Sequence, residues 1–99
     1  MTRLIYSSTA ASDLDRLADF LLEHFPEESE KTIEIVVGGL EILKSHPEIG
    51  RPLREGLREL VISRGRTGYL ALYIYDAEVD LVTVLAVRHQ REAGYRSSS

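Results

Sequence analysis

The densest concentration of reactive side chains in this 99-residue chain is the run Arg88-His89-Gln90-Arg91-Glu92-Ala93-Gly94-Tyr95. It follows directly on a strongly apolar segment, so cation, imidazole, amide and phenol would be presented at the end of a rigid element. Arg88 and Arg91 suit phosphate, His89 suits proton transfer near neutral pH, and Tyr95 suits stacking on a base. The same residue types also suit a solvated C-terminal segment whose Tyr95 packs back onto a sheet. Taken by themselves they favour that plainer reading. A stripe of Tyr69, Tyr73 and Tyr75 is open in the same way: it is either the less buried face of a sheet or an amphipathic surface kept for a partner.

Other chemistries have little to work with. His24 and His46 stand in different elements, one at a helix C-terminus and one before Pro47, so no three-histidine metal site is expected. With no cysteine there is neither a disulfide scaffold nor a thiolate zinc site, and no oxidising compartment is indicated. No phosphate-binding glycine loop, zinc-protease helix, nucleophile elbow or dinucleotide fingerprint occurs, so no cofactor is expected. The first residues lack a signal-type pattern and no run is long enough for a membrane span, which makes the cytoplasm the expected compartment.

Net charge is −4 and the isoelectric point is about 5.3, which argues against a surface that embraces nucleic acid throughout. The average hides an asymmetry. Residues 1–50 hold 4 basic against 10 acidic side chains, a balance of −6, whereas residues 51–99 hold 8 against 6, a balance of +2. Every cation of the second half is an arginine. The planar guanidinium binds carboxylates and phosphates bidentately, so Arg51, Arg54, Arg58, Arg64, Arg66, Arg88 and Arg91 are candidates for anion recognition. A merely solvated surface is the alternative.

The elements that must position these groups follow from periodicity. Arg3 to Ser7 reads as a short strand, and Ser8 and Thr9 are suitable helix caps. Leu14, Leu17, Ala18, Leu21, Leu22 and Phe25 then form one helical stripe, with Asp13, Asp15, Arg16, Asp19 and Glu23 on the other faces. Asp13 and Asp15 would complement the dipole at the start of that helix. Pro26 opens a second helix with the stripe Ile33, Val36, Val37, Leu40 and Leu43. Ile35 and Ile42 fall on a flank that cannot share that face, leaving apolar surface for a partner. Gly38 and Gly39 inside this helix imply a close approach, most simply to the other helix. The segment Glu48 to Gly56 reads as an ordered loop. Leu60 to Ile62 begins a strand, Gly65-Arg66-Thr67-Gly68 a turn, and Leu70, Leu72 and Ile74 alternate with tyrosines in the next strand. Leu81 to Val87 reads as an interior strand. The result is an α+β fold: an N-terminal strand, an antiparallel two-helix hairpin and a three-stranded antiparallel meander in one sheet. Both helices are expected to cover the face bearing Leu70, Leu72 and Ile74. Residues 1–96 form one domain in this reading, and residues 97–99 a disordered tail.

This order of elements carries several short motifs: Ala11-Ser12-Asp13-Leu14, Pro47-Glu48-Ile49-Gly50-Arg51-Pro52-Leu53, Leu57-Arg58-Glu59-Leu60, Tyr73-Ile74-Tyr75 and Val87-Arg88-His89-Gln90-Arg91. Together they resemble the RelE/ParE superfamily of type II toxin–antitoxin toxins over nearly the whole chain, and the proline–glycine–arginine loop is closer to the ParE branch. The resemblance implies a plasmid-stabilisation type toxin that binds and inhibits DNA gyrase without being an enzyme, in complex with a ParD-like antitoxin. It implies no membrane partner and no direct nucleic-acid partner. Candidate contacts to antitoxin or target are Ile35, Ile42, Tyr73, Tyr75, Tyr95 and the seven arginines named above. The RelE branch implies the alternative, a ribosome-dependent messenger endoribonuclease using Arg64, Arg66, His89, Arg91 and Tyr95. RelE-like nucleases surround the phosphate with many lysines and arginines, whereas this chain has only Lys31 and Lys44, both on the second helix. A degenerate, non-toxic binding module is the third reading.

Overall fold

A computed structural model describes residues 1–64 and 67–91, with the backbone only for Ser63, Arg64 and Thr67. Its elements are β1 (Arg3–Tyr6), α1 (Ser8–His24), α2 (Ser29–Glu41), a 3-10 turn (Ile42–Lys44), β2 (Arg51–Pro52), β3 (Leu57–Arg64), β4 (Thr67–Asp76) and β5 (Leu81–His89). One five-stranded sheet has the order β1-β5-β4-β3-β2. β1 runs parallel to β5 and the other pairs are antiparallel, so the first strand joins the edge of the meander after the helical crossover. The loop expected from Glu48 to Gly56 contains a short strand, because Arg51 and Pro52 pair with Glu59 and Arg58. The connection after β3 is tighter than expected: Thr67 and Gly68 already belong to β4, and Gly65 and Arg66 lie outside the described residues.

Both helices pack on one face of the sheet, but it is the opposite face from the one expected. Tyr69, Ala71 and Tyr73 of β4 join Val36, Leu40 and Leu43 in the core, together with Val82, Val84 and Val87 of β5. Tyr73 is wholly buried, while Leu72 is half-buried and Ile74 is 36% exposed on the other side. Size and a polar tip decide this. A phenol ring fills the space below α2, and its oxygen reaches the rim, where Tyr73 Oη accepts the Gly50 N–H at 2.8 Å. Gly50 must be glycine for that contact, since a Cβ there would lie 2.6 Å from the phenol oxygen.

A bulge in β5 sets the rest of the register. Leu72 pairs with Ala86 and Tyr73 with Val84, which leaves Leu85 extra and lets Val82, Val84 and Val87 all face the helices. The start of α1 secures this bulge. Ser7, expected in the strand, is the helix cap: its hydroxyl accepts the Ala10 N–H and also contacts the Leu85 carbonyl at 3.0 Å. Asp13 is buried, and one carboxylate oxygen accepts the Val87 N–H at 2.8 Å. The other oxygen meets Arg16 one turn on. Asp13 therefore bonds the sheet and does not merely complement the dipole, as it was expected to do.

The helical stripes are only partly core. In α1, Leu21 is buried and Leu14 and Leu17 pack against the core, but Leu22 is 61% and Phe25 50% exposed. α2 starts at Ser29, later than expected, with the Ser29 hydroxyl bonded to the Pro26 carbonyl. Gly39 lies against Ile62 of β3, where a Cβ would come within 2.9 Å of the side chain, so the close approach is helix to strand and not helix to helix. Gly38 faces open space. Ile35, expected outside the core, packs against it; Ile42 is 48% exposed as the flank argument requires.

Candidate functional site

The face of the sheet turned away from the helices is aliphatic. Cross-strand partners share a face, so the register places Ile5 beside Thr83, Thr83 beside Ile74, and Ile74 beside Leu57. Further along, Glu59, Leu72 and Ala86 form one row, and Val61, Leu70 and Arg88 the next. No described helix packs on this side. Val61 is 58% and Ile5 48% exposed. Ile74 is 36% exposed between them, while Leu70 and Ala86 on the same side are buried, so the exposed apolar side chains stand at both ends of this face.

Arginines border this surface. Arg51, at the β2 edge, donates to the Glu59 carboxylate at 2.8 Å while remaining 72% exposed, so it is only lightly committed. Arg88 lies at the other end of the face, beside Leu70 in register, and its guanidinium approaches the His89 and Gln90 carbonyls at 3.4 Å each. Arg54 is exposed. Arg58 serves the fold instead, holding the Glu48 and Gly50 carbonyls at 2.9 and 2.8 Å and so shaping the loop over Tyr73. The Arg64 side chain, Arg66 and Tyr95 lie outside the described residues. Tyr73 is removed from any partner by its burial. Tyr75 is half-buried, packs against the core and donates to Asp80 at 2.8 Å. That hydrogen bond and the adjacent carboxylate raise the Tyr75 phenol, while the Thr2 and Tyr75 hydroxyls lower Asp80.

The C-terminal cluster is not a single constellation. Arg88 and His89 are consecutive in a strand and point to opposite faces. His89 sits edge-on to Tyr69 on the helix side, ring centroids 5.3 Å apart, and its Nδ1 accepts the Arg91 N–H at 3.0 Å. That bond leaves Nε2 as the nitrogen that would carry the proton of a neutral ring. Lys44 pairs with Glu41 on the helical side of the molecule, and Lys31 is exposed on α2, so neither lysine reaches the open face. Among the described residues no group of acidic or histidine side chains could hold a metal ion.

The family model for the ParE toxin of type II toxin–antitoxin systems (parDE) matches residues 4–94. The chain belongs to that family. Toxin RelE3 of Caulobacter vibrioides is 32% identical over 84 residues, covering 84% of this ParE-family chain and 88% of the relative. Among solved structures, the fold is similar to a chain of the chromosomal ParDE system from P. aeruginosa, with a TM-score of 0.75 and 24% identity over 90% of this chain and 96% of that one. A chain of the RelBE2 toxin–antitoxin complex from Mycobacterium tuberculosis gives a TM-score of 0.55 and 26% identity, covering 92% and 93%. The strand, hairpin and meander order of the ParE-family fold is thus the order present here. Among the described residues no helix is long and apolar enough to cross a membrane.

Sequence reasoning missed the open side of Leu72 and Ile74, which it placed under the helices; Leu70 faces the same side but is buried, as expected of a core residue. An alternating strand has two apolar faces here, and the only signal that could have separated them was the pair of glycines, Gly39 and Gly50, that make room for Ile62 and Tyr73.

Proposed function

We propose that this chain is a toxin that inhibits DNA gyrase by contact and is neutralised by a ParD-like antitoxin, with residues 1–96 acting as its single domain. The uncovered aliphatic face bordered by Arg51 and Arg88 carries the antitoxin half of this reading. It suits an acidic, amphipathic segment whose apolar residues lie on Val61, Leu72 and Ile74 and whose carboxylates meet the arginines. Gyrase as target is supported by the family to which the chain belongs. The second reading, messenger cleavage, has its own support in the RelE3 relative and in the Nε2 of His89, with Arg64, Arg66, Arg91 and Tyr95 as its remaining set. Expression of the protein alone separates them. Gyrase inhibition yields DNA breaks and an SOS response with intact messages; cleaved messages with intact DNA would replace it by the nuclease reading, and neither outcome would leave a non-toxic binding module.

A further inference from the structure

We propose that the tip of the helical hairpin is a second interaction surface, built to take a basic amphipathic helix of another protein. Both phenylalanines of the chain stand there in water, Phe20 at 51% and Phe25 at 50% exposure, whereas the core fills its aromatic volume with Tyr69 and Tyr73. The rings are one cluster: Phe20 lies 4.6 Å from His24 and 6.3 Å from Phe25 between centroids. Half-exposure of two phenylalanines leaves roughly 200 Å² of aromatic surface in contact with water, gathered at one place.

Charge identifies the occupant. Asp19, Glu23 and Glu27 are all exposed in the segment that carries the rings; the flanking cations are Arg16, which pairs with Asp13, and Lys31, with none in residues 17–30. The carbonyl end of α1 adds further negative potential at His24 and Phe25. A second copy of the chain would bring the same acidic rim against itself, and an acidic antitoxin segment would be repelled in the same way. A helix with lysines or arginines beside leucines satisfies both features, since its cations meet the carboxylates and the phenylalanine faces while its apolar side covers the rings. This surface lies on the hairpin and is separate from the sheet face assigned to the antitoxin, so one chain can engage two partners of opposite charge.

The test is a titration of the isotope-labelled full chain with an amphipathic leucine–lysine helical peptide of about five turns, followed by NMR, beside a leucine–glutamate peptide of the same pattern. Expected are shifts in the amides of residues 19–28 with the lysine peptide, no binding there by the glutamate peptide, and affinity that falls with salt. Phe20→Ser with Phe25→Ser should weaken binding at least about tenfold, and Asp19→Asn with Glu23→Gln and Glu27→Gln should weaken it and remove the salt dependence. The acidic triple variant carries the test alone if the aromatic pair fails to fold. No binding of the lysine peptide, shifts confined to sheet residues such as Val61 and Ile74, or equal binding by the glutamate peptide overturns the proposal.

Discussion

At Asp13 a carboxylate that the helical pattern places toward water is instead buried against the Val87 backbone. Removing it strands a buried N–H at the bulge, so Asp13→Ala should cost about 2 kcal/mol, and Asp13→Asn, which keeps an acceptor, distinctly less. Urea denaturation of the two variants checks the order; equal losses would mean that the helix contact and not the hydrogen bond matters. Tyr73 is the second such residue. Burial raises its phenol above the ordinary value of 10.0, and Tyr75 is raised by its bond to Asp80. The folded state holds these protons more tightly than the unfolded chain. Their contribution is therefore intact below about pH 10 and lost as pH climbs through the folded values. Tyr73→Phe should flatten this alkaline decline in the denaturation midpoint, while lowering stability at neutral pH by about 1 kcal/mol through the orphaned Gly50 N–H.

Neighbouring positions within one element separate core from surface. In α2, Gly38 meets nothing within 4 Å and Gly39 meets Ile62, so the two glycines should respond oppositely to alanine. Gly38→Ala should stabilise by up to about 1 kcal/mol through helix propensity alone, whereas Gly39→Ala forces Ile62 to shift and offsets that gain. In β4 the comparison is between faces. Leu72→Asp should leave a folded protein, because Leu72 is half-buried on the open face, and Ala71→Asp should not, because Ala71 is fully buried under the helices. Circular dichroism melts of both variants test the assignment, and a folded Ala71→Asp with an unfolded Leu72→Asp would restore the opposite orientation of the sheet.

For the molecule as a whole, the open face predicts how the antitoxin acts. A partner that binds only the folded chain raises apparent stability by roughly 4 kcal/mol at a thousandfold excess over the dissociation constant, so the melting temperature should rise steeply with antitoxin. Leu72→Asp should abolish that rise without unfolding the toxin. Replacing Arg51 and Arg54 by Gln should slow association at low salt and leave dissociation nearly unchanged, because exposed rim charges steer the encounter and apolar burial holds the complex. Stopped-flow mixing across a salt series reads this directly. An association rate unaltered at low salt would remove the arginines from the recognition argument.

The helices, the meander and the family were legible from local signals, because a 3.6-residue stripe such as Val36, Leu40 and Leu43 and short motifs such as Leu57 to Leu60 depend on neighbours in the chain. The half-sheet containing Tyr69 to Tyr75 was not legible in the same way. Both of its faces are apolar, and the choice between them depends on volumes contributed by residues distant in sequence: Gly39 and Gly50, which admit Ile62 and Tyr73, and Ser7 and Asp13, which fix the bulge at Leu85. Periodicity reports that a residue is apolar and which neighbours share its side. Only the packing of the hairpin onto the sheet decides which side is covered, and hence which leucines remain for a partner.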